Sequence, residues 1–261
     1  MTKIVFSFDD GREDNIKVIQ DVFVKKSIPA TLNITADYIS NILRASEKPC
    51  VNKALSKEQL MQIANYKLIE IAGHGKRHSN ECMNLIDGVC ELREWLPNKE
   101  ICGIASPYSQ AKIQELIADK SKYISYNISY IRLGDRITSF RFIKKVLRKF
   151  NRMFFHIPLI FEWVHEQTFV DESDDFILYS VPILHSDTVA EITALIRRAV
   201  KKDKSLILMF HSVLHKGDPE YNSNWSWDWD KFETLITKVK DMQHQNLLEI
   251  VTMQKLLEQS M

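Results

Sequence analysis

The chain has 261 residues, 45% of them hydrophobic, with 35 Lys and Arg against 34 Asp and Glu. A chain of this size and composition buries a sizeable core unaided, which excludes disordered and disulfide-stapled classes. The formal net charge of +1 argues against a dedicated nucleic-acid binder.

The amino terminus reads Met1-Thr2-Lys3-Ile4-Val5-Phe6-Ser7-Phe8-Asp9-Asp10, an apolar run too short for a secretory leader. Nowhere do apolar residues approach the roughly 18 in a row that a membrane span needs. Cys50, Cys82, Cys90 and Cys102 lack zinc-site spacing and are expected as reduced thiols of a cytosolic protein.

In chain order, the β-branched and aromatic run Lys3–Phe8 predicts a buried strand opening into Asp9-Asp10-Gly11. Ile16, Ile19, Val22 and Phe23 recur at helical spacing within Asn15–Lys26. A strand follows at Ala30–Ile34, then a helix over Ser56–Asn65 with Ser56 and Gln59 as a capping box. Leu68–Ala72 is a strand running into Gly73-His74-Gly75, and Ile101–Ala105 and Lys122–Ile128 are expected as strands flanking a helix at Gln110–Asp119. Phe176–Leu184 and Ser205–Phe210 are strands around a helix at Thr188–Lys201, capped by Thr188 and Glu191. A helix at Asp228–Gln243, a strand at Leu248–Val251 and a helix at Met253–Gln259 close the chain. Such alternation, without a Pro/Gly-rich linker, predicts parallel βαβ units in one α/β barrel domain over residues 1–261, with function at the carboxyl ends of the strands.

Those ends carry a non-random set: Asp9 and Asp10, then His74 with His78, then Pro107 and Tyr108, then His211. One aspartate and two histidines make a three-donor N/O metal site with open positions. Successive strand residues point opposite ways, so one of the two aspartates can bind metal while the other stays free as a base. Alone, Asp-Asp-Gly is ordinarily a turn, and Gly75 stands where a helical zinc-protease motif needs glutamate. The joint occurrence at strand ends carries the reading.

Ser7-Phe8-Asp9-Asp10-Gly11 resembles the first motif, T/S-F-D-D-G, of the polysaccharide deacetylases, the NodB-homology group of carbohydrate esterase family 4. His74-Gly75-Lys76-Arg77-His78 is similar to its second motif, Ile104-Ala105-Ser106-Pro107-Tyr108-Ser109 to a degraded third, and Leu206-Ile207-Leu208-Met209-Phe210-His211 to its last. The resemblance implies a distorted (β/α)7 barrel in which Asp10, His74 and His78 hold a divalent metal. That metal is usually zinc, though cobalt, nickel, iron or manganese suit the same donors. It further implies Asp9 as the base that deprotonates a metal-bound water, His211 as the acid that protonates the leaving amine, and the backbone N–H of Tyr108 as an oxyanion donor. The family's third-motif arginine, which holds the catalytic aspartate, corresponds to Ala105 here. Arg132 is the candidate replacement, with a plain surface arginine as the alternative; Asp187 either orients His211 or caps a turn. Pro107, Arg132, Trp225 and Trp227 are the candidate substrate contacts, the tryptophans alternatively anchoring a helix start.

Segment Ser139–Trp163 holds six cations (Arg141, Lys144, Lys145, Arg148, Lys149, Arg152) against Glu162 alone. Ile143, Val146, Leu147, Phe150 and Phe154 form a helical apolar stripe within this insertion at about 139–163. Two readings stand: a membrane-surface helix, or an apolar stripe packed on the barrel with the basic face in water. The first places a cytoplasmic protein at the inner face of the membrane, on a lipid-linked saccharide. The expected activity is metal-dependent removal of an N-acetyl or N-formyl group from an amino sugar in a surface-glycan precursor. The alternatives are a related amidase on a small non-sugar C–N bond and a non-catalytic glycan-binding barrel.

Overall fold

The computed structural model describes residues 1–42, 53–171, 174–221 and 225–258. Strand and helix alternate from the start: β1 (Thr2–Phe8), α1 (Asn15–Val18), β2 (Ala30–Ile34), α2 (Ala36–Ile39), α3 (Lys57–Ala64), β3 (Ile69–Gly73), α4 (Cys82–Trp95) and β4 (Gly103–Ala105). The chain continues with α5 (Ile113–Ala118), α6 (Lys120–Ser125), β5 (Tyr130–Leu133), α7 (Arg141–Phe150), α8 (Pro158–His165), β6 (Ile177–Pro182), α9 (Val189–Lys202) and β7 (Leu206–Phe210). A short pair, β8 (Ser212–Leu214) and β9 (Ser226–Asp228), precedes α10 (Trp229–His244), β10 (Leu248–Ile250) and α11 (Met253–Leu257).

Strands β1 to β7 pair in sequence order and in parallel, and β7 returns to β1 from Ile4↔Leu206 to Phe8↔Phe210. Seven strands therefore close a (β/α)7 barrel. Strand β10 pairs with Thr2–Ile4 of β1 without entering the ring, and the β3–β4 seam is a single pairing, Gly73↔Ile104.

Alternation along the strands divides the interior. Ile4, Phe6, Phe8, Leu32, Ile71, Leu208 and Phe210 pack outward against helix residues such as Phe23, Val89, Ile196 and Phe232 in the main core. Phe6, Phe8, Phe23, Phe210 and Phe232 stack or meet edge to face, and pairs of this kind contribute about 0.5–1.5 kcal/mol each beyond their burial. The intervening residues Ser7, Thr31, Asn33, Glu70, Arg132 and Ser180 are buried and polar. Val5, Tyr130, Leu178 and Ile207 form a second cluster with Met253 and Leu256 of α11, plugging the amino end of the barrel. There Tyr130 Oη donates to Glu70 Oε1 at 2.6 Å, and Thr31 Oγ1 donates to Glu70 Oε2 at 2.8 Å. With that end plugged, the carboxyl end is left for chemistry.

Both capping boxes form as expected, at Ser56/Gln59 and Thr188/Glu191. Three expectations need correction. Lys122–Ile128 is not a strand: α6 buries Tyr123 and is closed after Ser125 by Asn127 (φ 54°), with Ile128 N–H bonded to Tyr123 O and Asn127 N–H to Ile124 O. That Schellman arrangement delays the strand to Tyr130. The helix at Asn15–Lys26 is α-helical only to Val18 and π-helical over Ile19–Val24. In the basic segment, the polar side is the packed one. Lys144 is buried over the Trp163 ring, Arg148 pairs with Asp135, and Arg152 Nε lies 2.7 Å from Asp187, whereas Ile143, Val146, Phe150 and Phe154 are exposed. An apolar stripe packed on the barrel is thereby overturned. Helix α4 carries no prior expectation; it lies over β3 and β4. Cys82, Cys90 and Cys102 are free thiols, and Cys50 lies outside the described residues.

Among the described glycines Gly103 is the most tightly packed: a Cβ there would stand 1.9 Å from Cζ of Tyr130, whose ring is fully buried. Gly103→Ala should cost at least ~2 kcal/mol in urea unfolding. An unfolding midpoint equal to wild type would mean that the Tyr130 ring does not fill the space beside β4.

Candidate metal centre

Inward parity and strand ends together assemble the site. Asp9 leaves β1 with its N–H on Phe210 O at 3.0 Å, and His74 leaves β3 with its N–H on Ile34 O at 2.8 Å. His74 Nε2 and His78 Nε2 face each other at 3.1 Å, and Asp10 Oδ1 lies 3.5 Å from the first and 3.4 Å from the second. His74 Nδ1 is 2.9 Å from Ala105 O. That carbonyl accepts only from N–H, so the ring proton sits on Nδ1 and the Nε2 lone pair faces the site. All three side chains are buried, and among the described residues no other group of acids, histidines or cysteines converges in this way. Two imidazole Nε2 atoms and a carboxylate oxygen turned on one point fit a divalent transition-metal ion.

Backbone conformations here are costly. Asp10 (φ 80°), His78 (φ 55°), Tyr108 (φ 55°) and Ser109 (φ 56°) all occupy the left-handed region, at about 1–3 kcal/mol each for non-glycine residues. Surrounding bonds hold them there. Asn84 Oδ1 of α4 accepts from Arg77 N–H and Ser79 N–H around the histidine loop, and Asn80 Nδ2 donates to Pro107 O at 2.8 Å. Ser106 Oγ donates to Asn80 Oδ1 at 2.8 Å, so the loops after β3 and β4 are tied to each other.

Asp9 is held differently. Arg132 Nη2 donates to Oδ1 at 2.7 Å and to Oδ2 at 2.6 Å, Arg132 Nη1 reaches Ser180 Oγ at 2.8 Å, and Asn33 Nδ2 donates to Asp9 Oδ1 at 2.8 Å. Burial pushes the Asp9 carboxyl up, but the guanidinium of Arg132, with His74 and His211, outweighs it and leaves the pKa below the ordinary value. Asp10 lies well below its ordinary value because contacts with His74 and His78 overcome its burial. Burial lowers the pKa of His211, and the negative charges of Asp10 and Asp9 only partly oppose it.

An open cavity of about 760 Å³ gathers Asp9, Asp10, His74, His78, Tyr108 and His211 on one wall system with Trp225, Asp135 and Arg148. Of the candidate substrate contacts, Trp225 stands beside His211 with ring centroids 4.7 Å apart. Pro107 is buried beneath the Tyr108 turn. Arg132 is fully buried against Asp9, so it positions a carboxylate rather than meeting a substrate. Trp227 is in the core with Nε1 donating to Asp187 O, which makes it a helix anchor and not a stacking surface. Asp187 itself accepts from Arg152 and from Leu184 N–H, and so caps its turn without reaching His211. Asn33, Asp135 and Arg148 went unforeseen. An amide in mid-strand between Leu32 and Ile34 is a readable signal for Asn33, but nothing local marks the pairing of Asp135 with Arg148 and His165.

No family model and no curated protein matches the sequence. Among solved structures, the chain is similar to the BpsB deacetylase domain from Bordetella bronchiseptica, at 14% identity over 51% of this chain and 64% of that one, with a TM-score of 0.42. It is similar to a de-N-acetylase from Aggregatibacter actinomycetemcomitans at 15% identity over 51% and 63% of the two chains, TM-score 0.40. A family 4 acetyl xylan esterase from Clostridium thermocellum in complex with a cobalt ion aligns with 98% of this chain and 90% of its own, at 13% identity and a TM-score of 0.49. The chain thus spans less than two thirds of the first two. Likenesses this distant leave the chemistry to the side chains of the site.

Arg132→Met removes the cation from a buried carboxylate, and should cost about 3–5 kcal/mol of stability at neutral pH. Pairing with Asp9→Asn should recover much of that loss in a double-mutant cycle. Additive losses would show that the two side chains do not interact.

Proposed function

We propose that the protein is a metal-dependent N-deacetylase that removes an N-acetyl, or N-formyl, group from an amino sugar in a surface-glycan precursor. The observation that carries this reading is the convergence of a buried Asp10–His74–His78 donor set, a separately held carboxylate and a third histidine on one cavity.

Asp10, His74 and His78 would hold the ion, and the chemistry of the donors suits zinc. A divalent ion so bound supplies Lewis acidity, lowering the pKa of water from 15.7 to about 7 and polarising a carbonyl. Asp9 is a weak base, since Arg132 and Asn33 stabilise its ionised form, so it can take a proton only from an acidified donor. The same two partners fix its lone pairs in direction, which removes the reorganisation a mobile carboxylate would need. Burial shifts His211 toward its neutral form. Negative charge developing beside it favours its protonation, and it would then hand that proton to the departing nitrogen, without which an amine leaves poorly. The strained turn at Tyr108 presents backbone to the cavity, where its N–H would serve the oxyanion, and Trp225 offers a ring face for a sugar.

Ala105 is the feature that favours a non-catalytic barrel. Ala105 pairs with Arg132 across β4 and β5, so the guanidinium reaches Asp9 from the neighbouring strand at the same level. That compensation supports retained chemistry. A panel of N-acetylated and N-formylated amino sugars, free and lipid-linked, set beside cyclic amides and ureides, tests the proposal. Zinc-loaded wild type should release acetate or formate from a sugar, and Asp9→Asn should lower the rate by about 10²–10⁴-fold at unchanged metal content. Ring opening of the cyclic amides alone would establish the amidase alternative, and normal turnover in Asp9→Asn would remove Asp9 from the chemistry.

A further inference from the structure

Helix α7 and the turn after it present their apolar side to solvent. Of the 22 exposed large hydrophobic residues among the described residues, ten fall within positions 140–159. Phe142 is 80% exposed, Leu159 71% and Phe140 67%. The rings of Phe150 and Phe154 lie 6.2 Å apart and those of Phe154 and Phe155 6.3 Å, so the patch is continuous. Contiguous exposed apolar surface on this scale marks a docking surface.

The inward side explains why the helix stands this way round. Lys144 lies over Trp163, Arg148 pairs with Asp135, Asn151 Nδ2 donates to Glu191 Oε1 at 2.6 Å, and Arg152 pairs with Asp187. These positions recur every three or four residues and fasten one face of the helix to the barrel. The opposite face is thereby committed to the outside. A soluble surface helix buries its apolar stripe; this one buries its polar stripe.

We infer that this face docks on a lipid bilayer bearing anionic headgroups. Charge selects that occupant. Arg141, Lys145 and Lys149 run along one flank of the apolar stripe, are exposed, and form no ion pair among the described residues. No acid lies between Ser139 and Phe161. A second copy of the chain would bring those cations against their own kind, whereas an anionic headgroup layer meets them with opposite charge while Phe and Leu side chains enter the acyl boundary. Arg148, on the fastened face of the same helix, lines the cavity that holds the Asp–His–His set, so the docked helix is itself part of the cavity wall. Substrates anchored in the bilayer are then within reach, a consequence that rests on the proposed deacetylase reading; the docking itself does not.

Cosedimentation with phosphatidylcholine vesicles, and with vesicles of 70% phosphatidylcholine and 30% phosphatidylglycerol, tests the docking in the absence of any substrate. The full chain should pellet with the mixed vesicles about tenfold more readily than with phosphatidylcholine alone. Phe142→Ser/Phe154→Ser/Leu159→Ser should abolish pelleting, and Arg141→Gln/Lys145→Gln/Lys149→Gln should reduce it to the phosphatidylcholine level. All six positions face solvent, so both variants should keep the wild-type unfolding midpoint. No pelleting of wild type, or equal pelleting of the apolar variant, would overturn the inference. So would a wild-type dimer in light scattering that the apolar variant dissociates, because the occupant would then be a second copy.

Discussion

A carboxylate buried in a barrel needs an opposite charge or hydrogen-bond donors to stay ionised, and Arg132 with Asn33 supplies both to Asp9. Asp9 and Arg132 lie on opposite sides of the ring, one at the end of β1 and one on β5. Their contact is possible because both fall on the inner face of a closed parallel sheet whose layers are set by strand register. With Asp9 so held, its neighbour Asp10 is turned by a left-handed backbone toward His74 and His78. Two adjacent carboxylates therefore do different work: one is locked by a guanidinium, the other faces two imidazoles.

Much of this was readable in the sequence for a local reason. Strand ends, capping boxes and the parity of inward residues are encoded within a few positions of one another, so Asp9, Asp10, His74, His78 and His211 could be grouped before any coordinates. Long-range partners could not. Whether Arg132 met Asp9 or water depended on a barrel closing across 123 residues of chain separation. Lys122–Ile128 misled because Tyr and Ile favour strands, whereas here Tyr123 alone packs inward from a short helix with Ile124 exposed, and Asn127 decides between the two. Trp225 and Trp227 part ways although residues two apart on an extended strand share a face, one meeting the cavity and the other the core.

Helix α7 shows the limit of pattern most plainly. A stripe of apolar residues opposite a stripe of cations predicts an amphipathic helix but not which stripe is buried. Here the deciding partners are Asp135, Asp187 and Glu191, acids on other elements that draw the polar side inward. Asp135 and its partner Arg148 also line the cavity, so surface and site are parts of one arrangement.

Elemental analysis of the purified protein decides whether Asp10, His74 and His78 form a metal centre. After reconstitution with zinc and removal of free ion, wild type should carry about one divalent ion per chain and His74→Ala close to none, with the variant still folded. Wild type without bound metal, or a variant that retains it fully, would mean that these three side chains are not a metal centre.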